Sequence, residues 1–462
     1  MRERGSLFAL MIAFSFAFPA LGDEPAATET VIRLSVSPAP APKPALKYQL
    51  LPELREMQPG NAVPAFYKCL MEQQNLYYKK SVIADRDKYL NCPLSELKGK
   101  DLTNYGWAST RQADYAARLE TADWAILPQI RTEGMRLAIP DVQVLRSVAL
   151  ALKVRFRAQV AEGDYPAAIE TAKTMFALAR TFSEHPTLIG GLVGTAIANL
   201  TIGPLEEMIG QPNSPNLYWA LTNLPESLVD FRKGWQGERT WIFAEFPGVF
   251  DDPTPKSEDV LAKYIARFDT VAKNFPPNAF GGEKTLSAWL AKVAKDEAYM
   301  RDVRKRLVQT GLTADQAERM PAKQAVLLDE YHKFETVQDE IFKWLPLPLW
   351  QAQPALDKLE KPTGVFSEML PAASKVKQAH ARLAQRLASV RIIEAIRLYA
   401  AAHDGKLPDS LDRIEVPLPV DPITGKAFHY EVKDGTAILH GTPPAGMEKS
   451  PAYVRYEITI RK

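Results

Sequence analysis

Cysteine, histidine and glycine are all sparse in this chain: 462 residues carry 2 Cys, 6 His and 24 Gly. Neither charge sign is in excess, with 57 Lys and Arg against 55 Asp and Glu. That balance provides no overall basic field and excludes nucleic acid as the expected partner. The histidines, at 185, 332, 380, 403, 429 and 440, include no H-E-x-x-H or other close ligand spacing, so no metal or cofactor is expected. There is no G-x-S-x-G elbow to mark an activated serine. Glycine-rich phosphate loops are missing too. The glycines of "TLIGGLVGTAIANLTIG" (187–203) follow a helical pattern where such a loop needs a strand, and no Lys-Ser or Lys-Thr pair comes after them.

What the chain does have begins at its N-terminus. Arg2 and Arg4 precede "LFALMIAFSFAF" (7–18), followed by Ala20 and Gly22 at signal-peptidase spacing. Twelve apolar residues fall short of the roughly 20 that span a bilayer, so residues 1–22 read as a cleaved signal peptide, with an uncleaved anchor as the competing reading. Export to the periplasm or the extracellular space follows from the cleaved reading. An oxidising compartment makes Cys69 and Cys92 a possible disulfide, with two buried thiols as the alternative. Residues 23–47, ending in "SVSPAPAPKPALK", read as an extended Pro/Ala-rich linker.

From 48 to 349 the apolar spacing is helical almost throughout, including a helix over "RQADYAARLETADWAILPQIRTEG" and others near 226–246, 257–274, 284–310 and 321–344. Residues 355–462 differ. A long helix is expected from about Ser374 to His403, after which the period becomes two in "AFHYEV", "TAILHG" and "AYVRYEITI". The first two of these strands flank a "KDG" turn, which sets His429 and His440 where they can face each other. The fold class is therefore mainly α: a helical-hairpin array, then a long helix with a small antiparallel β-sheet of about three strands. The uncharged run from Pro186 to Leu205 is long enough to be a membrane span. Its glycines, threonines, Asn199 and Pro204 dilute it, and the amphipathic helices around it need an apolar partner, so it is expected as a buried central helix with no transmembrane span in the mature chain.

Three resemblances add to this reading. "AEGDYPAAIETAKTMFALAR" is similar to the turn and second helix of a tetratricopeptide repeat through Gly163, Asp164, Tyr165, Ala168 and Ile169. With Phe156 and Gln159 out of pattern and no second copy 34 residues away, it implies one helical hairpin and no repeat array. The stretch 391–430 resembles the C-terminal region of type II pseudopilins, matching at Leu398, Tyr399, Gly405, Pro408, Leu411, Asp421, Pro422, Gly425 and Tyr430. It implies a helix leading through a turn to a small sheet. Taken whole, with "ADYAARLETADWAILP", "HPTLIGGLVG" and "PNLYWALTNLP", the chain resembles an uncharacterised family of exported helical proteins in planctomycete-type bacteria, which implies no particular activity.

The remaining chemistry is thin. Adjacent carboxylates occur at Glu206-Glu207, Asp251-Asp252 and Glu258-Asp259, and no catalytic residue can be assigned from them. "RKGWQGERTWIFAEF" places Trp235, Arg239 and Trp241 together, where aromatics beside a cation could contact a ligand. The expected function is an exported α-helical scaffold or interaction protein of the cell envelope with a protein or peptide partner. The alternative is an envelope hydrolase acting on cell-wall or polysaccharide substrates through carboxylates gathered by the fold.

Overall fold

The uncharged run fixes the architecture, because a helix apolar on every side needs neighbours on every side. The computed structural model describes residues 30–461 except 140, 274, 276–278, 360–363, 367–369, 371–372, 445–446 and 448–449. The leader reading of residues 1–22 lies outside the described residues, as do residues 23–29. Strand β1 (Thr30–Val36) opens the described chain, and β2 (Gln58–Asn61) pairs in parallel with β3 (Leu119–Thr121). Helices α1 (Ala62–Glu72) and α2 (Trp107–Ala116) precede a hairpin of α3 (Asp141–Glu162) and α4 (Tyr165–Thr181). Gly163 makes the left-handed turn between them at φ 76°, and Asp164 accepts from the Ala167 amide (3.1 Å) to start α4.

The run itself becomes α5 (Leu188–Ile209), whose N-cap Thr187 accepts from the Gly190 amide (3.1 Å). By length and composition this helix could cross a membrane, but 72% of its most apolar window is buried against the rest of the chain. α3, α4 and α11 (Ala373–Ala402) pack on it. Its glycines permit that closeness. A Cβ at Gly191 would lie 2.6 Å from the Phe231 ring, and one at Gly194 would lie 2.8 Å from the Ala179 carbonyl oxygen.

Several expected elements shift. The single helix expected over 226–246 is two, α6 (Arg232–Glu238) and α7 (Thr240–Glu245), broken where Gly237 lies so tightly under the Pro186 carbonyl that a Cβ would overlap it at 1.9 Å. The helix expected across 111–134 is interrupted by β3, which leaves Tyr115 and Leu127 exposed. α8 (Glu258–Ala272), α9 (Glu297–Gln309) and α10 (Ala322–Phe342) complete the helical bulk before α11.

The C-terminal sheet differs most from its expectation. β4 (His429–Lys433), β5 (Thr436–His440) and β6 (Val454–Ile460) form the antiparallel part, with Asp434-Gly435 turning the hairpin at φ 49° and 75°. A fourth strand, β1, joins β6 in parallel, so the order is β1-β6-β5-β4 and the sheet is mixed. Residues 30–36, which the sequence assigned to a linker, are thus part of the sheet. Their alternation places Leu34 and Val36 in the core, which a reading by proline and alanine content passes over. The boundary drawn between 349 and 355 does not separate cores either: one apolar cluster runs from Leu34 through α5 to Ile458.

Charged seams join the sheet to the helices. Glu206, the residue that ends the uncharged run, accepts from Nε and Nη2 of Arg386 (3.0 and 2.7 Å) and from the Tyr456 hydroxyl (2.6 Å). Arg397 and Glu394 are buried completely, 3.0 Å apart, and Arg397 also donates to the Ser37, Pro215 and Ser214 carbonyls and to Ser214 Oγ. Each of these four seam charges therefore has a partner, the condition under which burial is tolerated.

Candidate functional site

Residues 49–55, "QLLPELR", are interrupted by Pro52 and lie beside the loop after residue 222. Between them opens a groove of about 700 Å³, lined by Gln49, Leu51, Pro52, Glu53, Leu54, Arg55, Arg180, Asn223 and Pro225. Its walls are held in place by polar ties. Asn223 Nδ2 donates to Gln49 Oε1 (2.8 Å), and the Glu53 amide donates to Glu56 (2.9 Å) in a one-turn helix over Leu54–Glu56. Lys173, buried in α4, reaches Glu56 at 3.0 Å. Against this fixed frame Leu54 stands 93% exposed.

The groove's charge is uneven. Arg55 is engaged by Glu53 (2.6 Å), whereas Arg180, exposed in the last turn of α4, has no carboxylate partner among the described residues. The groove therefore offers an apolar strip of Leu51, Pro52, Leu54 and Pro225 beside an uncompensated guanidinium. That combination suits a carboxylate set next to an apolar side chain.

The residues singled out from the sequence lie elsewhere and do not converge. Cys69 and Cys92 are free thiols, apart from each other and in separate apolar clusters, so they form no disulfide. Cys69 Sγ contacts the Ala65 carbonyl (3.8 Å), and burial pushes its thiol up to about 12. Cys92 contacts the Tyr89 carbonyl (3.8 Å). Trp235 is buried against Phe342, their centroids 5.2 Å apart, and Trp241 is buried in the core. Arg239 caps the same Phe342 ring at 5.9 Å and pairs with Asp339. The aromatics at helical spacing here serve packing.

At least one carboxylate of each adjacent pair is engaged by a cation. Glu207 takes Arg157 (2.7 Å), Asp252 takes Lys256, and Glu258 takes Lys323 (3.0 Å). His429 and His440 do face each other, directly opposed in the β4–β5 register with stacked rings 4.8 Å apart. No group of three or more His, Cys, Asp or Glu among the described residues could hold a metal ion.

Sequence reasoning missed the pairing two residues beyond Pro225. Ser227 Oγ lies 2.9 Å from Nε2 of His380, which projects from α11, and 3.0 Å from the Val229 carbonyl oxygen. The loop is pinned there from the other side, since the Asp230 amide donates to Ser183 Oγ (2.9 Å) and Phe231 packs beside His380 at 5.7 Å. The two partners are 153 residues apart, and neither stands in a motif. A second missed group is Glu238 at the end of α6, buried against the start of α5, where its Oε1 accepts from the Leu188 amide (3.0 Å). Burial pushes this carboxyl up to about 7, and the Leu188 amide offsets only part of that. Comparison with known protein families, characterised proteins and solved structures finds no significant match for this chain.

Proposed function

We propose that the chain is an exported α-helical scaffold of the cell envelope that docks a protein or peptide partner in the groove over Leu54 and Arg180. The occupant is an extended peptide segment with an apolar side chain next to a carboxylate. One observation carries the reading: an exposed leucine on an anchored turn beside an arginine that has no internal partner. Export rests on the leader residues Arg2 to Gly22. The hydrolase alternative draws little support from the adjacent carboxylates, because Glu206, Glu207, Asp252 and Glu258, at least one of each pair, are engaged by a cation.

Selection of displayed random peptides on immobilised protein lacking residues 1–22 tests the proposal. The expected result is enrichment of sequences pairing Asp or Glu with a neighbouring apolar residue, and at least tenfold weaker binding of those peptides to Arg180→Glu and Leu54→Asp. Both sites are exposed, so stability should change by no more than about 0.5 kcal/mol. A selection without that pattern, or variants that bind as the parent does, would remove the groove from consideration.

A further inference from the structure

We propose that Ser227 is an acyl-accepting nucleophile, with His380 as its general base, acting on small carboxylic esters. A serine hydroxyl is a weak nucleophile until a base in hydrogen-bond reach can take its proton, and 2.9 Å to an imidazole nitrogen is such a reach. The hydroxyl has one proton and two acceptors at hand, Nε2 and the Val229 carbonyl at 3.0 Å. Rotation about Cβ–Oγ passes it from one to the other.

The surroundings hold the imidazole neutral. His380 lies largely buried where α11 meets the loop of residues 223–231. Burial, reinforced by the charge of Lys377, lowers it to about 4, while Asp230 works in the opposite direction. The imidazole is therefore neutral at neutral pH, with its Nε2 lone pair free to face the serine proton, and burial and Lys377 make it a weaker base than free imidazole. Lys377 is itself held away, its Nζ donating to the Leu345 carbonyl at 2.6 Å. Asp230 is engaged by Arg232 through both the backbone amide (2.9 Å) and Nε (2.6 Å), so its carboxylate acts on His380 by charge and not by a hydrogen bond. Ser183 ties the loop at the Asp230 amide, and Phe231 packs beside His380 itself. The serine thus sits in a fixed frame, partly open to solvent.

The step balances without a further reagent. Ser227 Oγ forms a bond to the ester carbonyl carbon as its proton passes to His380 Nε2. The bond from that carbon to the alkoxy oxygen then breaks, and the leaving oxygen carries the proton away as alcohol. Water repeats the sequence through the same imidazole and restores the serine, releasing the acid.

A fluorophosphonate probe, which forms a P–O bond to an activated serine with loss of fluoride, tests this on protein lacking residues 1–22. The expected result is a single adduct that peptide mass spectrometry locates at Ser227. It should be absent in Ser227→Ala and at least tenfold slower in His380→Gln. The parent's labelling rate should be level from pH 6 to 8 and fall as pH drops through about 4, where His380 takes a proton. Ser227→Cys supplies a second readout that keeps the contact, since its alkylation by iodoacetamide should slow when His380 is also replaced. No adduct under conditions that label trypsin, or equal rates with and without His380, would make the contact a purely structural tie between loop and helix.

Discussion

The packing around α5 and the seam between α11 and the sheet solve the same problem by different means. Around α5 the contacts are apolar and interchangeable, and shape is set by where glycine admits a neighbour. Along the seam, Glu206, Arg386, Tyr456, Glu394 and Arg397 are paired charges and hydroxyls, each needing one particular partner. Apolar surface contributes in proportion to area and tolerates exchange, whereas a buried charge stripped of its partner is penalised in full. The two regions should therefore fail differently under substitution.

The largest effect is expected at the seam. Arg397→Ala leaves Glu394 unpaired in a fully buried site and strands the Ser37, Pro215 and Ser214 carbonyls, with an expected loss of about 3–5 kcal/mol. Urea denaturation measures it, and a loss under 1 kcal/mol would mean that water replaces the guanidinium. In the apolar region, Gly194→Val forces side-chain volume against Phe182 and the Ala179 carbonyl, with an expected loss of about 1–3 kcal/mol. If Gly194→Val proves the more damaging of the two, the ranking of the regions is reversed.

A third effect distinguishes them by pH. Glu238 lies within the apolar region, and its folded value of about 7 exceeds its ordinary 4.5. A carboxyl raised on folding contributes stability that is fully present below 4.5 and lost as pH rises to about 7. His185 and His380, lowered by burial to about 3 and 4, have the reverse sign, their contribution being lost as pH falls below 6.5. Comparing wild type with Glu238→Gln isolates the first term, because the amide keeps an acceptor for the Leu188 amide and has no proton to release. Melting temperatures should diverge above pH 5, with the variant the more stable at pH 8. Parallel curves from pH 4.5 to 8 would show that Glu238 is already ionised when folded.

These contrasts also explain what could be read from residues alone. The mainly α fold, the central helix at Leu188–Ile209, the hairpin turning at Gly163 and the strands either side of Asp434-Gly435 all follow from local period and turn chemistry. The close seat of Gly237 under Pro186, beside the break between α6 and α7, was hidden because Pro186 lies about fifty positions earlier. The groove combines residues 49–55 with 180 and 223–225, and the Ser227–His380 contact spans 153 positions. Neither has a spacing that a linear pattern could record. Trp235 and Trp241 carried a ligand-binding signal by composition, and burial against Phe342 and the core accounts for it instead.

The parallel pairing of β1 with β6 has a kinetic consequence. Arg33 meets Glu457 at 2.8 Å across 424 positions, so bringing these strands together closes most of the polypeptide into a ring. Ring closure grows costlier with contour length, and such non-local pairings form late. A nascent chain emerging from the ribosome must hold its opening strand unsatisfied until the final one is synthesised. During that interval the exposed edge is a natural place for a chaperone to bind, and for misassembly between copies to begin.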